Sequence, residues 1–545
     1  MPVTAKNPIL PGFYPDPSIC AVGMDYYIVN SSFAYFPGLP IMHSQDLAHW
    51  EQIGNVLTRP EQLPLEGAEV SQGLFAPTIR YHNGTFYVIC TNVSHGGNFI
   101  VTATDPAGPW SEMHCLEGAD GIDPSIMFDD DGKCYFIGTH PNPDGCKYDG
   151  DWYIYVQELD IENFKLVGEK HNVWNGAMKG VHWPEGPHLY HIGEYYYILH
   201  AEGGTGPEHA VCVARSKSPF GPFENNFKNP ILTHRHLGNL FPVRYVGHAD
   251  MFEAANGEWY MVMLAVRQMK GFTTLGRETF LAKVVWEEDW PLVNPNMGRL
   301  SEELVVHLPE YETEFAQNAL PGVDKVYDFR HYKNLGAEWL RLRNPKEDML
   351  VLQDMDELKA IPEKERNPLI HSGLNLKCGG DVTGKQDVSY LAIRQDCHNF
   401  EASATLYLDN LCAGASAGLM LMQNNRYNLR FEVSNWVGYV ILCRDGVDMK
   451  VASFNMSSSY AVITIRVFGL KAMVLGRKFE DNHDTIIVAN LDVSELSTEV
   501  AGGFVGCTVG MFAQAAEDVK EPVYANFKSF IYNRMLPTGA GHREE

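Results

Sequence analysis

The sequence lacks several features that would indicate whole classes of protein. Its 11 cysteines show no paired spacing and their number is odd, so reduced thiols are expected rather than a disulfide framework. It contains no HExxH and no paired CxxC motif, which argues against a zinc site. No apolar run approaches a membrane span in length. The first ten residues, MPVTAKNPIL, contain no apolar core of signal-peptide length, so a cytoplasmic location is expected.

Positive charge is also scarce. The chain contains 42 Lys and Arg residues against 68 Asp and Glu residues, and its formal net charge is -26. Nucleic acid and anionic membrane surfaces would repel such a chain, so neither is expected as a partner. A neutral ligand fits this charge better, and self-association remains open.

Turn-forming and aromatic residues are abundant. The chain has 49 Gly and 31 Pro, and aromatic residues make up 12% of it while charged residues make up only 20%. This composition is typical of a folded, turn-rich protein and favours an all-β fold. A chain of 545 residues is too long for a single hydrophobic core, so at least two domains are predicted.

A short pattern recurs five times in the first half of the chain. Each copy consists of a short apolar strand, a turn containing Gly, and a second strand with a tyrosine near its centre, which is a hairpin signal. The copies begin at Asp16, Ala76, Asp123, Gly186 and His248, and their tyrosines are Tyr27, Tyr87, Tyr135, Tyr197 and Tyr260. Five copies predict five four-stranded blades and therefore a five-bladed β-propeller. The alternative is five unrelated hairpins in a sandwich.

The residues at the start of these five strands should converge, because the first strand of each propeller blade lines the central channel. Two of them are Asp16 and Asp123, a third is His248, and Glu185 directly precedes a fourth. Clustered carboxylates repel each other and reduce stability, so their convergence indicates a function. In FYPDPSIC, prolines on both sides hold Asp16 at a fixed position. Metal binding, sugar binding and acid–base chemistry are all compatible with this cluster.

The motifs GFYPDPSI, GIDPSIMFDDDG, PEGPHLY, GHADMF and TTLGRETFLA, in this order, resemble glycoside hydrolase family 43, in particular its two-domain β-xylosidases. The resemblance implies a five-bladed propeller and hydrolysis with inversion at the anomeric carbon. It also implies three catalytic roles. Asp16 is similar to the general base that activates water, Glu185 to the general acid, and Asp123 to a third acid that raises the pKa of Glu185 and positions it.

The same resemblance implies the sugar-binding residues. Arg277 in LGRETF corresponds to an arginine that meets the substrate, and Phe33 in NSSFAYFPG to an aromatic wall of the innermost subsite. Phe75 stands where many relatives carry tryptophan, which leaves the sugar preference open. For each aromatic, plain core packing is the alternative. His248 is predicted to contact the arginine, with a calcium ion near it in some relatives, or to be purely structural; no cofactor is otherwise required.

The pattern changes after the fifth repeat. From Asp324 on, strands of alternating hydrophobicity are separated by turns about every ten residues, which predicts a β-sandwich. We therefore predict a propeller over residues 1–323 and a sandwich, similar to the concanavalin-like domain of these β-xylosidases, over 324–545. The resemblance implies an aromatic residue of this domain at the active-site mouth, for which Phe504 is the candidate. The alternative is a domain that only supports the propeller.

These observations lead to three functional hypotheses. The first is an exo-acting, inverting β-xylosidase that releases xylose from the non-reducing end of short xylo-oligosaccharides. The second is an α-L-arabinofuranosidase, or an enzyme with both activities, acting on arabinose-substituted oligosaccharides. The third is a sugar-binding propeller without catalysis, against which the complete set of three acids argues.

Overall fold

The computed structural model describes residues 2–310, 324–411, 413–456, 458–478 and 481–535. These residues divide into two compact units. The first contains the described residues up to 310 except 66–70 and 272–276, and the second contains those two segments and the residues from 324 on. The predicted domain boundary, between residues 323 and 324, adjoins a segment outside the described residues and stays a prediction.

The first unit contains five antiparallel sheets, and the strands of each follow one another in the chain. We call these sheets blades I to V. Blade I consists of Ser18–Val22, Asp25–Val29, Gly38–Ser44 and Glu51–Leu57; blade II of Thr78–His82, Thr85–Asn92, Gly97–Ala103 and His114–Cys115; blade III of Ile122–Phe128, Cys134–Pro141, Trp152–Asp160 and Lys165–Trp174; blade IV of Glu185–Ile192, Tyr195–Glu202, Ala210–Ser216, Glu224–Asn225 and Leu232–Thr233; and blade V of Val243–Glu253, Trp259–Arg267, Glu278–Glu287 and Trp290–Val293. The smaller elements are the strands Val3–Lys6, Tyr35–Phe36 and Glu303–Val306 and the 3-10 helices Pro60–Gln62 and Arg235–Leu237.

The first strands of neighbouring blades are joined by hydrogen bonds in a closed ring. The five links are Ile79 N to Ser18 Oγ (3.1 Å), Thr78 Oγ1 to Pro124 O (3.0 Å), Gly186 N to Asp123 Oδ2 (3.0 Å), Tyr190 OH to Asp250 Oδ1 (2.6 Å) and Ser18 Oγ to Asp250 Oδ2 (2.7 Å). They connect blades I to II, II to III, III to IV, IV to V and V back to I. The predicted five-bladed propeller is therefore confirmed, and the first strands surround its axis.

Apolar side chains fill the space between each pair of neighbouring blades. The five interfaces are represented by the pairs Ile41 and Val88, Ile100 and Ile126, Ile154 and Ile198, Leu199 and Met261, and Val262 and Ile28. Because each blade packs on two neighbours, both faces of its inner strands are buried. This explains why Trp259–Arg267 reads as a continuous apolar run, WYMVMLAVR, rather than as an alternation.

The N-terminal segment closes the ring. Val3–Lys6 pairs antiparallel with Glu303–Val306, which follows blade V, before the chain enters blade I. Asn7 then bonds blade V, because its Nδ2 donates to Leu281 O at 2.8 Å and its Oδ1 accepts from Leu281 N at 2.8 Å. The two ends of the propeller chain are thus joined, as closure of a circular array requires.

The second unit consists of two antiparallel sheets around one core. One sheet has eight strands: Asp324–Asp328, Leu350–Gln353, Gly373–Lys377, Asn399–Tyr407, Tyr460–Phe468, Lys471–Lys478, Thr485–Asp492 and Tyr524–Arg534. The other has six: Ser389–Arg394, Ala415–Asn424, Tyr427–Ser434, Val437–Arg444, Val447–Asn455 and Thr508–Ala515. Phe400 and Ile463 of the first sheet and Leu419 and Phe431 of the second belong to the same buried cluster. The predicted β-sandwich is confirmed.

Helical elements of the second unit are short. They are the α-helices Met355–Ala360 and Thr498–Ala501 and the 3-10 helices Phe329–His331, Glu347–Met349 and Glu363–Glu365, with the two-residue strand Arg341–Leu342 beside them. Within the described parts of both units, no helix has the length and hydrophobicity that a membrane span requires.

Candidate active site

Four of the five residues that head the blades share an unusual backbone conformation. The φ angle is 50° at Asp16, 53° at Asp123, 56° at Gly186 and 49° at His248. Positive φ at a non-glycine residue costs about 1–3 kcal/mol and persists only where the surrounding structure enforces it. In blades III, IV and V the strand register shifts at this point, as at a β-bulge, which re-aims side chains. The strained positions coincide with the residues that the sequence singled out.

Asp16 is buried and both of its carboxyl oxygens are hydrogen-bonded. Oδ1 accepts from Arg277 Nη1 at 2.5 Å, and Oδ2 accepts from Ser31 Oγ at 2.6 Å. His248 Nδ1 lies 3.9 Å from Oδ1. Both oxygens thus act as acceptors, as an ionised carboxylate allows. Arg277, which the sequence placed against the substrate, therefore also anchors the carboxylate of blade I.

Asp123 and Glu185 lie on neighbouring blades and interact through the backbone. The amide of Gly186, directly after Glu185, donates to Asp123 Oδ2 at 3.0 Å. Burial raises the pKa of the Glu185 carboxyl well above its ordinary value, and the negative charges of Asp123 and Asp16 raise it further against the opposing effect of Arg277. Burial also raises the pKa of Asp123, although His248 lowers it. The surroundings of Glu185 therefore favour the protonated form of its carboxyl group.

Aromatic rings line the side of the site next to Arg277. The rings of Phe33 and Phe75 lie 5.4 Å apart between centroids, and Phe13 stacks on the other side of Phe33 at 5.9 Å. The Arg277 guanidinium lies 5.6 Å from the centre of the Phe33 ring. Phe33 is buried, whereas Phe75 is partly exposed. The structure therefore brings Phe33 to the arginine and Phe75 to Phe33, with Phe75 the more accessible of the two.

His248 packs its ring on Gly186, where a Cβ would lie 2.8 Å from the imidazole. A second histidine, His209, was not singled out from the sequence. Its Nδ1–H donates to Tyr245 O at 2.8 Å, and burial lowers its pKa to about 4, so the ring is neutral. The charges of His248, Arg277 and Asp16 also act on it, which places it near the site.

The sequence analysis did not single out two further parts of the site, Ser31 and a network around the propeller axis. Ser31 stands two positions before Phe33 in NSSFAYFPG, so the same motif contained the signal. The second set surrounds the axis: Arg80 forms an ion pair with Asp250 at 2.8 Å and donates to His188 Nδ1 at 3.0 Å. Arg80 and Asp250 are 170 residues apart, and no local pattern links them. This network ties the first strands of the blades together.

Phe504 belongs to the second unit, between Thr498–Ala501 and Thr508–Ala515, and its side chain is 42% exposed. Its predicted role at the mouth of the site stays a prediction.

Among the described residues, one buried group offers three possible metal ligands: His200, Glu202 and Cys212, whose ligand atoms lie within 4.8 Å of one another. These atoms already have protein partners. Trp174 Nε1 donates to His200 Nε2 at 3.2 Å, and the amide of Ala177 donates to Glu202. The calcium ion predicted near His248 stays a prediction.

Comparison with known proteins covers nearly the whole chain. The family described as glycosyl hydrolases family 43 matches residues 5–291, and the β-xylosidase C-terminal concanavalin A-like domain matches residues 326–533. A xylosidase/arabinosidase of Butyrivibrio fibrisolvens is 50% identical over 94% of this chain and 96% of that protein. A non-reducing end α-L-arabinofuranosidase of Bacteroides ovatus is 37% identical over 94% of this chain and 91% of its own length. The crystal structure of a xylan β-1,4-xylosidase from Bacillus halodurans C-125 superposes with a TM-score of 0.86 at 31% identity, covering 97% of this chain and 100% of that chain.

Proposed function

The chain belongs to family 43 of the glycosyl hydrolases, and we propose that it releases xylose from the non-reducing end of short β-1,4-xylo-oligosaccharides with inversion of configuration. It is a glycoside hydrolase, so the hypothesis of a purely sugar-binding propeller is not retained. The observation that carries the proposal is the contrast between two carboxyl groups of one site. Asp16 is paired with a cation and a hydroxyl donor, whereas the pKa of Glu185 is raised by burial and by negative neighbours.

Asp16 acts as the general base. Inverting hydrolysis requires a carboxylate that takes a proton from the water attacking the anomeric carbon. The bonds from Arg277 and Ser31 support this role because they hold the carboxylate in one orientation. The left-handed backbone at Asp16, held by the surrounding structure, fixes the carboxylate relative to the channel. A guanidinium can bridge a carboxylate and sugar hydroxyls, and this supports the predicted contact of Arg277 with the substrate.

Glu185 acts as the general acid. The oxygen of a leaving sugar is too basic to depart without a proton, so the donor must be protonated at the working pH. The raised pKa of Glu185 supports this role. After one turnover the carboxyl has lost its proton to the leaving sugar and Asp16 has gained one from water, and both return to their starting states by exchange with solvent.

Asp123 maintains the protonation of Glu185. Its charge is one of the causes of the raised pKa of Glu185, and its bond to the Gly186 amide fixes the peptide that follows the acid. A residue in this position changes both the proton affinity and the orientation of the donor.

The second candidate activity is that of an α-L-arabinofuranosidase. Of the relatives described above, one is named for both sugars and another for arabinofuranose alone. Phe75, partly exposed beside Phe33, takes a place where a larger indole would narrow the pocket, and this difference in size bears on the choice between a pyranose and a furanose.

Initial rates on nitrophenyl β-D-xyloside, nitrophenyl α-L-arabinofuranoside and xylobiose test the proposal. We expect turnover of xylobiose and of the xyloside, and proton NMR of the first-formed xylose should show the α-anomer. First-formed β-xylose would contradict inversion and the role of Asp16. Turnover of the arabinofuranoside alone would replace the first activity with the second.

A further inference from the structure

Trp183 lies two residues before Glu185, in the segment that leads into the first strand of blade IV, and its side chain is partly exposed. Its φ angle is 46°. Positive φ is a true outlier for a bulky residue, and such strain is tolerated where surrounding contacts impose it. The roles of the three acids do not account for this strained conformation of Trp183.

Hydrogen bonds fasten this segment on both sides. Trp183 N donates to Gly150 O at 2.8 Å, and Gly203 N donates to His182 O at 2.9 Å. Gly150 belongs to the loop between the second and third strands of blade III, and Gly203 to the corresponding loop of blade IV. The segment thus bridges the two blades that carry Asp123 and Glu185.

The indole of Trp183 is packed against two glycines. A Cβ on Gly150 would lie 2.9 Å from indole Cδ2, and a Cβ on Gly204 would lie 2.7 Å from indole Cε3. Both glycines also have positive φ, 76° and 66°. Any larger residue at either position would displace the ring, so the backbone of two loops leaves room for the indole in one orientation.

The position of the indole favours contact with the leaving group over contact with the non-reducing-end sugar. The general acid donates to the glycosidic oxygen, so the departing sugar lies beside it, while the water activated by Asp16 attacks from the opposite face. Two residues of chain span at most about 7 Å. A partly exposed indole attached that close to the acid, on the boundary between blades III and IV, is within reach of the departing sugar.

We propose that Trp183 is the platform for the leaving sugar, with the indole packed against the apolar face of a pyranose ring. This inference rests on the proposed glycosidase function. Aromatic side chains offer a large rigid apolar surface at small entropic cost, and a few such surfaces with polar neighbours are typical of ligand sites. Trp183 is then a specificity-determining residue that favours a further xylosyl unit over a small alcohol as leaving group.

A competing explanation is that Trp183 only spaces and orients Glu185. The two explanations differ for a substrate that needs the acid but has no second ring. Methyl β-D-xyloside is such a substrate, because its alcohol leaving group requires a proton as the leaving sugar of xylobiose does. If Trp183 is a platform, its loss should slow hydrolysis of xylobiose alone. If it is a spacer, its loss should slow hydrolysis of both substrates.

The experiment compares wild type, Trp183→Ala and Trp183→Phe on xylobiose and methyl β-D-xyloside. For Trp183→Ala we expect kcat/KM for xylobiose to fall about tenfold and that for the methyl glycoside to change by less than about twofold, with the alkaline limb of both pH profiles unmoved. Trp183→Phe keeps an aromatic face and should recover part of the loss. Trp436→Ala, which removes a tryptophan of the second unit that is 38% exposed, is the matched control.

Two patterns of rates would overturn the inference. Equal losses on both substrates, or a shifted alkaline limb, would make Trp183 a spacer for the acid, and unchanged rates on both would remove it from the site. If the wild type prefers arabinofuranosides, the methyl arabinofuranoside and an arabinosyl xylo-oligosaccharide replace the pair. A wild type that cleaves none of these four substrates would overturn the proposed function together with the platform, whereas the patterns above overturn the platform alone.

Discussion

Asp123 and Arg277 shift the pKa of Glu185 in opposite directions. Replacing each by an uncharged residue should therefore change that pKa in opposite directions. The charge of Asp123 raises that pKa and the charge of Arg277 lowers it. In Asp123→Asn the raising charge is lost, so the acid loses its proton at lower pH. In Arg277→Met the lowering charge is lost, so the acid keeps its proton to higher pH. Because Glu185 must be protonated to donate, the alkaline limb of kcat/KM follows these shifts.

The strength of the interaction between the carboxyl groups of Asp123 and Glu185 follows from the geometry. Gly186 N lies 3.0 Å from Asp123 Oδ2. The carboxyl carbon of Glu185 is five bonds from that nitrogen and so at most roughly 6 Å away, which places the two carboxyl groups within roughly 9 Å. At an effective dielectric constant of about 20, two unit charges at that separation interact by roughly 1.8 kcal/mol. Loss of this interaction in Asp123→Asn should therefore lower the pKa of Glu185.

The assay is kcat/KM on xylobiose across the alkaline range, because an activated aryl leaving group would not report on the acid. We expect the limb to move to lower pH in Asp123→Asn and to higher pH in Arg277→Met. Asp144→Asn, in an exposed loop, controls for the change in net charge. A limb that stays in place in Asp123→Asn while KM rises would leave Asp123 as a sugar-binding residue. Shifts of the same sign in both variants would refute the electrostatic reasoning altogether.

Three further predictions follow from the same geometry. Glu185→Ala should retain activity on an aryl glycoside with a very acidic phenol but lose it on xylobiose; steady-state rates on both check this, and equal losses would contradict the acid role. Asp16→Ala should be inactive on both substrates, since water is then not activated, and residual turnover with the aryl glycoside would contradict the base role. Gly186→Ala places a Cβ 2.8 Å from the His248 ring at a φ of 56° and should lower the free energy of unfolding by about 1–3 kcal/mol, measured by urea titration. Gly193→Ala, at a φ of 62° with nothing within 4 Å, is the control: it carries the same backbone cost without the contact, so the loss at Gly186 should be the larger, and an equal loss would assign the cost to the backbone alone.

Much of the propeller was predictable because its blades are local. Each hairpin is held by a short turn, so the repeat that begins at Asp16 and recurs to His248 is visible in the sequence without knowledge of the rest. The same locality identified the positions that head the strands. Their roles in catalysis stay a prediction, which follows from the resemblance and from the environment described above.

Other parts of the site were not visible in that way. Arg277 and Asp16 are 261 residues apart, and the ion pair between them exists because blade V returns beside blade I. His209 reaches the site from the end of a loop in blade IV, and its tautomer depends on the carbonyl of Tyr245, 36 residues away. Such contacts depend on how the ring closes, which no short stretch of sequence encodes.

Periodicity and turn chemistry act over about ten residues, so the amino-acid sequence was enough to predict the class of fold, the repeat, the sandwich that follows it and the residues that head each blade. The environment of each of these residues, by contrast, depends on the closed ring. The pKa of Glu185 depends on burial and on charges contributed by other blades. Asp16 pairs with Arg277, which is 261 residues away along the chain. Electrostatic energy depends on distance in space rather than on separation along the chain, so the raised pKa of Glu185 arises only when the ring is closed.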